Sequence, residues 1–191
     1  MLSLSNYLNK NTFLNETDIV SIMQLFEPLL LNENETFINT GSTNIEIAYI
    51  EQGVMKATLN NSATDEKIQY FIGAEHFVSE PTLLYKQQPA IYSIKAATKV
   101  SLMVCPANRL YSIAKHIKNL DLLIKTISEM ELADIIAQKN MINFNNAIDK
   151  LKYFENAYPG LAAKVKDYEI ASFLGITRYT FCRIKNKIAK E

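Results

Sequence analysis

Alternating apolar and polar positions dominate residues 35–105, and an apolar spacing of three to four takes over after Pro106. Runs of β-type residues occur at 36–38 (TFI), 46–59 (EIAYIEQGVMKATL), 67–72 (KIQYFI) and 92–104 (YSIKAATKVSLMV). Short strands so closely spaced predict a small barrel or sandwich. Gln52-Gly53 divides the second run, and glycine's easy access to positive φ predicts a tight hairpin there. Ahead of the runs, ETDIVSIMQLFEPLLL (16–31) sets Ile19, Ile22, Met23 and Phe26 on one side of a short amphipathic helix.

Beyond Pro106, ANRLYSIAKHI (107–117) predicts a helical turn or two, and residues 119–143 predict a longer helix without Gly or Pro. Such a helix, about 22 residues, spans roughly 33 Å. Leu123, Ile127, Met130, Ala137 and Met141 keep a 4-3 spacing interrupted by Asp134, while Leu120, Ile124, Ile135 and Ile136 widen the apolar surface. Two apolar faces ask for two neighbours. One is the β domain; the other is a second copy of the chain, with Leu123, Ile127, Met130 and Ala137 as candidate dimer-interface residues. Another short helix is expected over 144–160, closed by Pro159-Gly160.

The C-terminal stretch carries the most specific spacing. In the twenty residues from Asp167, the apolar side chains Ile170, Leu174, Ile176, Phe181 and Ile184 fall at positions 4, 8, 10, 15 and 18, with Ala171 at 5 and Gly175 at 9. This is the helix-turn-helix pattern. The five apolar residues face inward where two short helices cross, the small residue lets the second helix pass, and the glycine makes the turn in a left-handed conformation. Thr177 is placed to cap the second helix, expected over about 177–189. Arg178, Tyr179 and Arg183 then become candidates for base edges, and Thr177, Lys185, Asn186 and Lys187 complete the candidate DNA-binding face.

Charge supports that assignment. The chain is formally neutral, yet residues 161–191 hold seven Lys/Arg against three Asp/Glu, a local +4 balanced by −4 elsewhere. Segregation of this kind points to a polyanion partner for one end. Two cysteines, Cys105 and Cys182, stand far apart in the sequence, and no apolar run is long enough to span a bilayer. A cytoplasmic protein without a membrane partner is expected. Two histidines, two distant cysteines and no clustered carboxylates offer no triad or metal site, so no enzyme is expected.

A β-rich domain, a long helix and a C-terminal helix-turn-helix, in that order, resemble the Crp/Fnr family of bacterial transcription regulators. VKDYEIASFLGITRYTFCRIKNKI (165–188) looks like the family's IAxxLGxTxxTxxRIxxxI pattern, and FIGAEHFVSEPTLLYKQQPAIYSIKAATKVSLMVC (71–105) is similar to its ligand-cassette region. The resemblance implies an α+β chain in three parts. Residues 1–106 would form a cyclic-nucleotide-binding-like, jelly-roll-like β-roll and 107–143 a central dimerisation region. A winged-helix-type helix-turn-helix domain would occupy 144–191. It further implies a homodimer acting on a palindromic site in double-stranded DNA, with RNA polymerase as a further partner.

The cassette departs from the nucleotide-binding pattern. Phe77, Ser79 and Glu80 stand where the family's FGE element falls, with Ser79 in place of glycine, and Gln88-Pro89 replaces the Arg-Ser pair that meets the cyclic phosphate. These five are the candidate effector-pocket residues. A buried phosphate without a cation costs several kcal/mol, so cAMP is not expected as the effector. Iron–sulfur sensing lacks its thiolates, haem would have only His76 or His116, and the effector stays unknown. The alternative is a ligand-binding or protein-interaction module whose helix-turn-helix is a docking surface.

Overall fold

The computed structural model describes residues 3–10, 14–62, 65–80, 82, 86–114, 116, 117, 119–144 and 146–188. Among the described residues, two short helices, α1 (Leu4–Asn9) and α2 (Glu16–Met23), precede eight strands: β1 (Glu27–Leu31), β2 (Thr36–Ile38), β3 (Glu46–Gln52), β4 (Met55–Ser62), β5 (Asp65–Ile72), β6 (Phe77–Val78), β7 (Ser93–Ala96) and β8 (Val100–Pro106). Six described helices follow the last strand: α3 (Ala107–Ala114), α4 (Leu120–Ile142), α5 (Ala147–Ala157), α6 (Pro159–Ala162), α7 (Asp167–Leu174) and α8 (Arg178–Ile188).

The strands form two four-stranded antiparallel sheets, ordered β1-β8-β3-β6 and β2-β7-β4-β5. Ala48, Ile50, Met55, Ala57, Ile94, Ala96 and Leu102 are buried in one apolar cluster drawn from strands of both sheets. This is the expected roll of alternating strands, with two corrections. Gln52-Gly53 does not make a hairpin: β3 pairs with β6 and β8, while β4 pairs with β5 and β7. The glycine carries the chain from one sheet to the other at φ +93°, where a Cβ would lie 2.4 Å from the Lys99 carbonyl oxygen. The second correction concerns 16–31. The helix stops at Met23, and EPLLL becomes edge strand β1, pairing Glu27–Leu31 with Val104–Val100. Pro28 resists a helix interior but is tolerated on a sheet edge.

Helix α4 matches its expected bounds closely and runs past three apolar clusters. Leu120 and Leu123 are buried, with Ile124 and Ile127 packed beside them, against α1, α2, β3 and β8. Ile135 packs on the roll interior, and Met141 joins the C-terminal core. Near its end the Gln138 side-chain amide grips the free edge of β5. Its Oε1 accepts from the Phe71 N–H at 2.9 Å and its Nε2 donates to the Phe71 carbonyl at 2.8 Å. A free strand edge is thereby closed without another strand.

The helix ahead of Pro159-Gly160 ends at Ala157, as expected, and the pair then opens α6, with Pro159 in its first turn, where a missing N–H costs nothing. The helices after α4 pack on the roll: Phe71 of β5 meets Phe173 of α7 at 5.4 Å and Phe154 of α5 at 6.2 Å between ring centroids. Among the described residues no strand accompanies α7 and α8, so the winged-helix expectation is met by its helical part. No described helix is long and apolar enough to cross a membrane.

Candidate nucleic-acid interface

The turn between α7 and α8 is built as its spacing demands. Gly175 sits at φ 68°, ψ 32°, and its N–H donates to the Ser172 carbonyl at 3.2 Å. The Ile176 N–H donates to the Ala171 carbonyl at 3.0 Å. That pair of bonds is the Schellman ending, which closes a helix on a left-handed residue. Thr177 caps α8: its Oγ1 accepts from the Thr180 N–H at 3.1 Å. Ala171, Ile170, Leu174, Phe181 and Ile184 are all buried and Ile176 packs against them, so every apolar position of the motif faces the core.

What remains outside is the candidate reading face. Arg178, Tyr179, Cys182, Arg183, Asn186 and Lys187 lie exposed or half-exposed along α8, Tyr179 most openly at 77 %. Arg178, Arg183 and Lys187 join no ion pair among the described residues. Lys185 differs: its Nζ donates to Asp167 Oδ1 at 2.6 Å, tying α8 to the start of α7. Lys166 is likewise paired, with Glu33. Three cations that join no ion pair among the described residues thus lie along the open face of α8. Residue 189, the expected end of this helix, and Lys190 lie outside the described residues.

The motif is seated on the roll by contacts the sequence does not announce. Lys56 of β4 and Glu169 of α7 form an ion pair with side chains 4 % and 1 % exposed. Lys56 Nζ also donates to Asn34 Oδ1 at 3.0 Å, and the Ile68 N–H reaches Ser172 Oγ at 3.4 Å. No motif links Lys56 to a residue 113 positions away.

The candidate dimer residues divide. Leu123 is buried in its own domain and Ile127 packs against the same cluster, because the 4-3 stripe broken by Asp134 is largely the inner face of α4. Met130 is half exposed and Ala137 partly so. Among the described side chains of α4, Leu122, Met130, Leu132 and Ile136 are the large apolar ones left outside.

The effector-pocket candidates divide too. Phe77 and Ser79 line a cavity of about 330 Å³ between the roll, α4 and α6. Glu80 is buried outside that lining, and Gln88 and Pro89 are exposed on the surface. Ser79 donates its hydroxyl to the Glu46 carbonyl at 2.8 Å. His76 is held between the Ala74 carbonyl and Asp134, and burial pushes the Cys105 thiol up to about 11. Among the residues of that cavity missed from the sequence are Tyr70, Glu131, Asp134, Gln138 and Tyr158; the polar break at Asp134 was their one visible trace.

No protein-family model matches the sequence, and no curated protein matches it. Solved structures do match in three dimensions. FixK2 from Bradyrhizobium japonicum superposes with a TM-score of 0.75 at 12 % identity, covering 86 % of this chain and 85 % of that one. A Crp/Fnr-family regulator from Eubacterium rectale gives 0.72 at 14 %, covering 96 % and 88 %. The c-di-GMP-responsive global regulator CLP from Xanthomonas campestris gives 0.71 at 14 %, covering 92 % of both chains. Over nearly its whole length, this chain has the fold of the Crp/Fnr transcription regulators.

Proposed function

We propose that the protein is a sequence-specific DNA-binding transcription regulator of the Crp/Fnr type. One observation carries the reading: α8 buries Phe181 and Ile184 while presenting Arg178, Tyr179 and Arg183 to solvent from its first two turns, behind a capped and glycine-turned start. The first turns of such a helix are the part that enters a major groove. Arg can donate two hydrogen bonds to guanine, and Lys187 with the helix start can reach phosphates. Binding of the full chain to promoter fragments is expected to weaken steeply with salt. Arg183→Ala should cost about 1–3 kcal/mol and relax the preferred sequence at one position. Binding that ignores salt and survives Arg183→Ala would instead identify α8 as a protein-docking surface.

The active species is a homodimer joined along α4, and its target is a palindrome, because two-fold protein symmetry asks for two-fold DNA symmetry. Leu122 and Ile136 lie on the open side of the helix and are exposed by 45 % and 49 %. Ile136→Glu sets a charge in that seam and is expected to shift the protein to monomer in sedimentation and to lower DNA affinity at least about tenfold through lost avidity. A dimer that persists unchanged would move the interface elsewhere. The effector is not cAMP. Gln88 and Pro89 stand on the surface and supply no cation to a buried phosphate.

A further inference from the structure

Glu131 sits midway along the inner face of α4, in a stripe whose other members, Leu120, Ile124, Ile127 and Gln138, are apolar or an amide. It lines the cavity of about 330 Å³, which is large enough for a small organic molecule. The walls are apolar: Val54, Phe71, Val78, Ile135 and Leu161 come from the roll, from α4 and from the α6 segment, so one occupant would touch all three parts. The polar groups are few. Tyr70, 4 % exposed, lines the same cavity, and its buried hydroxyl has no hydrogen-bond partner among the described residues and feels the charges of both Glu80 and Glu131. Asp134 stands one turn from Glu131 and holds His76 at 3.2 Å, and Lys164 is exposed where it borders the cavity.

We propose that this cavity is a binding site for a small apolar molecule carrying a protonated amine, with Glu131 and the Tyr70 hydroxyl receiving the ammonium group and the apolar walls receiving the body. The site takes Phe77 and Ser79 from the resembled nucleotide cassette but not Glu80, Gln88 or Pro89, which do not line it. A cation is the addition that relieves the arrangement. Burial, reinforced by Asp134, pushes the Glu131 carboxyl up to about 8, and a charge of opposite sign reverses that penalty. No group of three or more metal-ligating side chains occurs among the described residues, so the cation is organic rather than a metal ion. Occupancy stands on the cavity alone; that it would adjust the helix-turn-helix rests on the DNA-binding reading.

The test titrates the full chain by calorimetry with three probes of one size: 2-phenylethylamine, 2-phenylethanol and phenylacetate. The amine should bind about tenfold tighter than the alcohol, as a charge-assisted hydrogen bond exceeds a neutral one, and the carboxylate should bind weakest. Because the amine drives a proton from Glu131, its affinity should climb from about pH 6 towards the Glu131 value of about 8, by at most about tenfold per unit. Among the described residues, the charged or titratable groups around Glu131 are Tyr7 on α1, Tyr70 on β5, His76, Asp134, Tyr158 and Lys164. Glu131→Gln should abolish both the slope and the preference for amine over alcohol. Gly73→Leu grows towards Leu161 across the cavity, its Cβ 3.7 Å from Leu161 Cδ2, and should weaken all three probes at least about tenfold. The proposal is overturned if no probe binds at millimolar concentration, if the alcohol or carboxylate equals the amine, or if Glu131→Gln keeps the preference. These outcomes are read without DNA, so they leave the DNA-binding reading to its own experiment.

Discussion

Glu169→Ala, on the surface where the helix-turn-helix meets the roll, is expected to destabilise the protein by about 3–5 kcal/mol. The reason lies in what is left behind. Lys56 is 3 % exposed, and without Glu169 the direct side-chain contact left to its ammonium among the described residues is the Asn34 amide oxygen, with the Glu33 and Glu66 carboxylates acting on it only through their charge. A buried charge stripped of its partner retains its whole desolvation cost. Removing both charges should behave differently: Lys56→Met with Glu169→Leu is expected to be neutral or stabilising by about 1–4 kcal/mol. That gain is helped by removing Glu169 Oε2, which is buried without a hydrogen-bond partner among the described residues. Urea unfolding of the single and double variants reads both outcomes. A single variant within about 0.5 kcal/mol of the parent, the range of an ordinary surface substitution, would mean that water reaches Lys56.

Phe173→Ala should cost a comparable amount, about 3–5 kcal/mol. The Phe173 ring is fully buried between Phe71, at 5.4 Å, and Phe154, at 5.6 Å between centroids. Deleting it opens a cavity where α7 rests on β5. Since Phe71 belongs to the roll, the loss should not be confined to the C-terminal helices. Calorimetry is expected to show one transition moved down as a whole, and a split in which the sheets melt unchanged would show that the two regions fold independently. The same contact explains why the C-terminal helices do not stand off from the rest of the chain: Val54, Ile68 and Phe71 share one core with α5, α7 and α8.

The helix-turn-helix was legible because its causes are local. Ala171, Gly175 and Thr177 act within a few residues of one another, through a close helix approach, a left-handed turn and a cap, and each occurs where its spacing requires. The long helix was legible for a similar reason, an unbroken stretch free of Gly and Pro. Its faces were not. The 4-3 spacing through Leu123 and Ile127 fits an inner stripe as well as a dimer seam, and periodicity says that a face is apolar without saying what covers it. EPLLL misled for a related reason: three leucines continue a helical pattern, yet β8 offered an open edge that a strand containing Pro28 could occupy.

From its sequence alone the chain determined an α+β architecture, the bounds of its longest helix and the residues that α8 exposes, because helix periodicity, capping and turn chemistry act between near neighbours. Tertiary structure alone decided that Gly53 switches sheets, that Glu131 and Tyr70 meet at one cavity, and that Lys56 finds Glu169 across 113 residues. Those pairings depend on which surfaces are brought together and dried when the roll, α4 and the C-terminal helices pack, and no spacing along the chain encodes them.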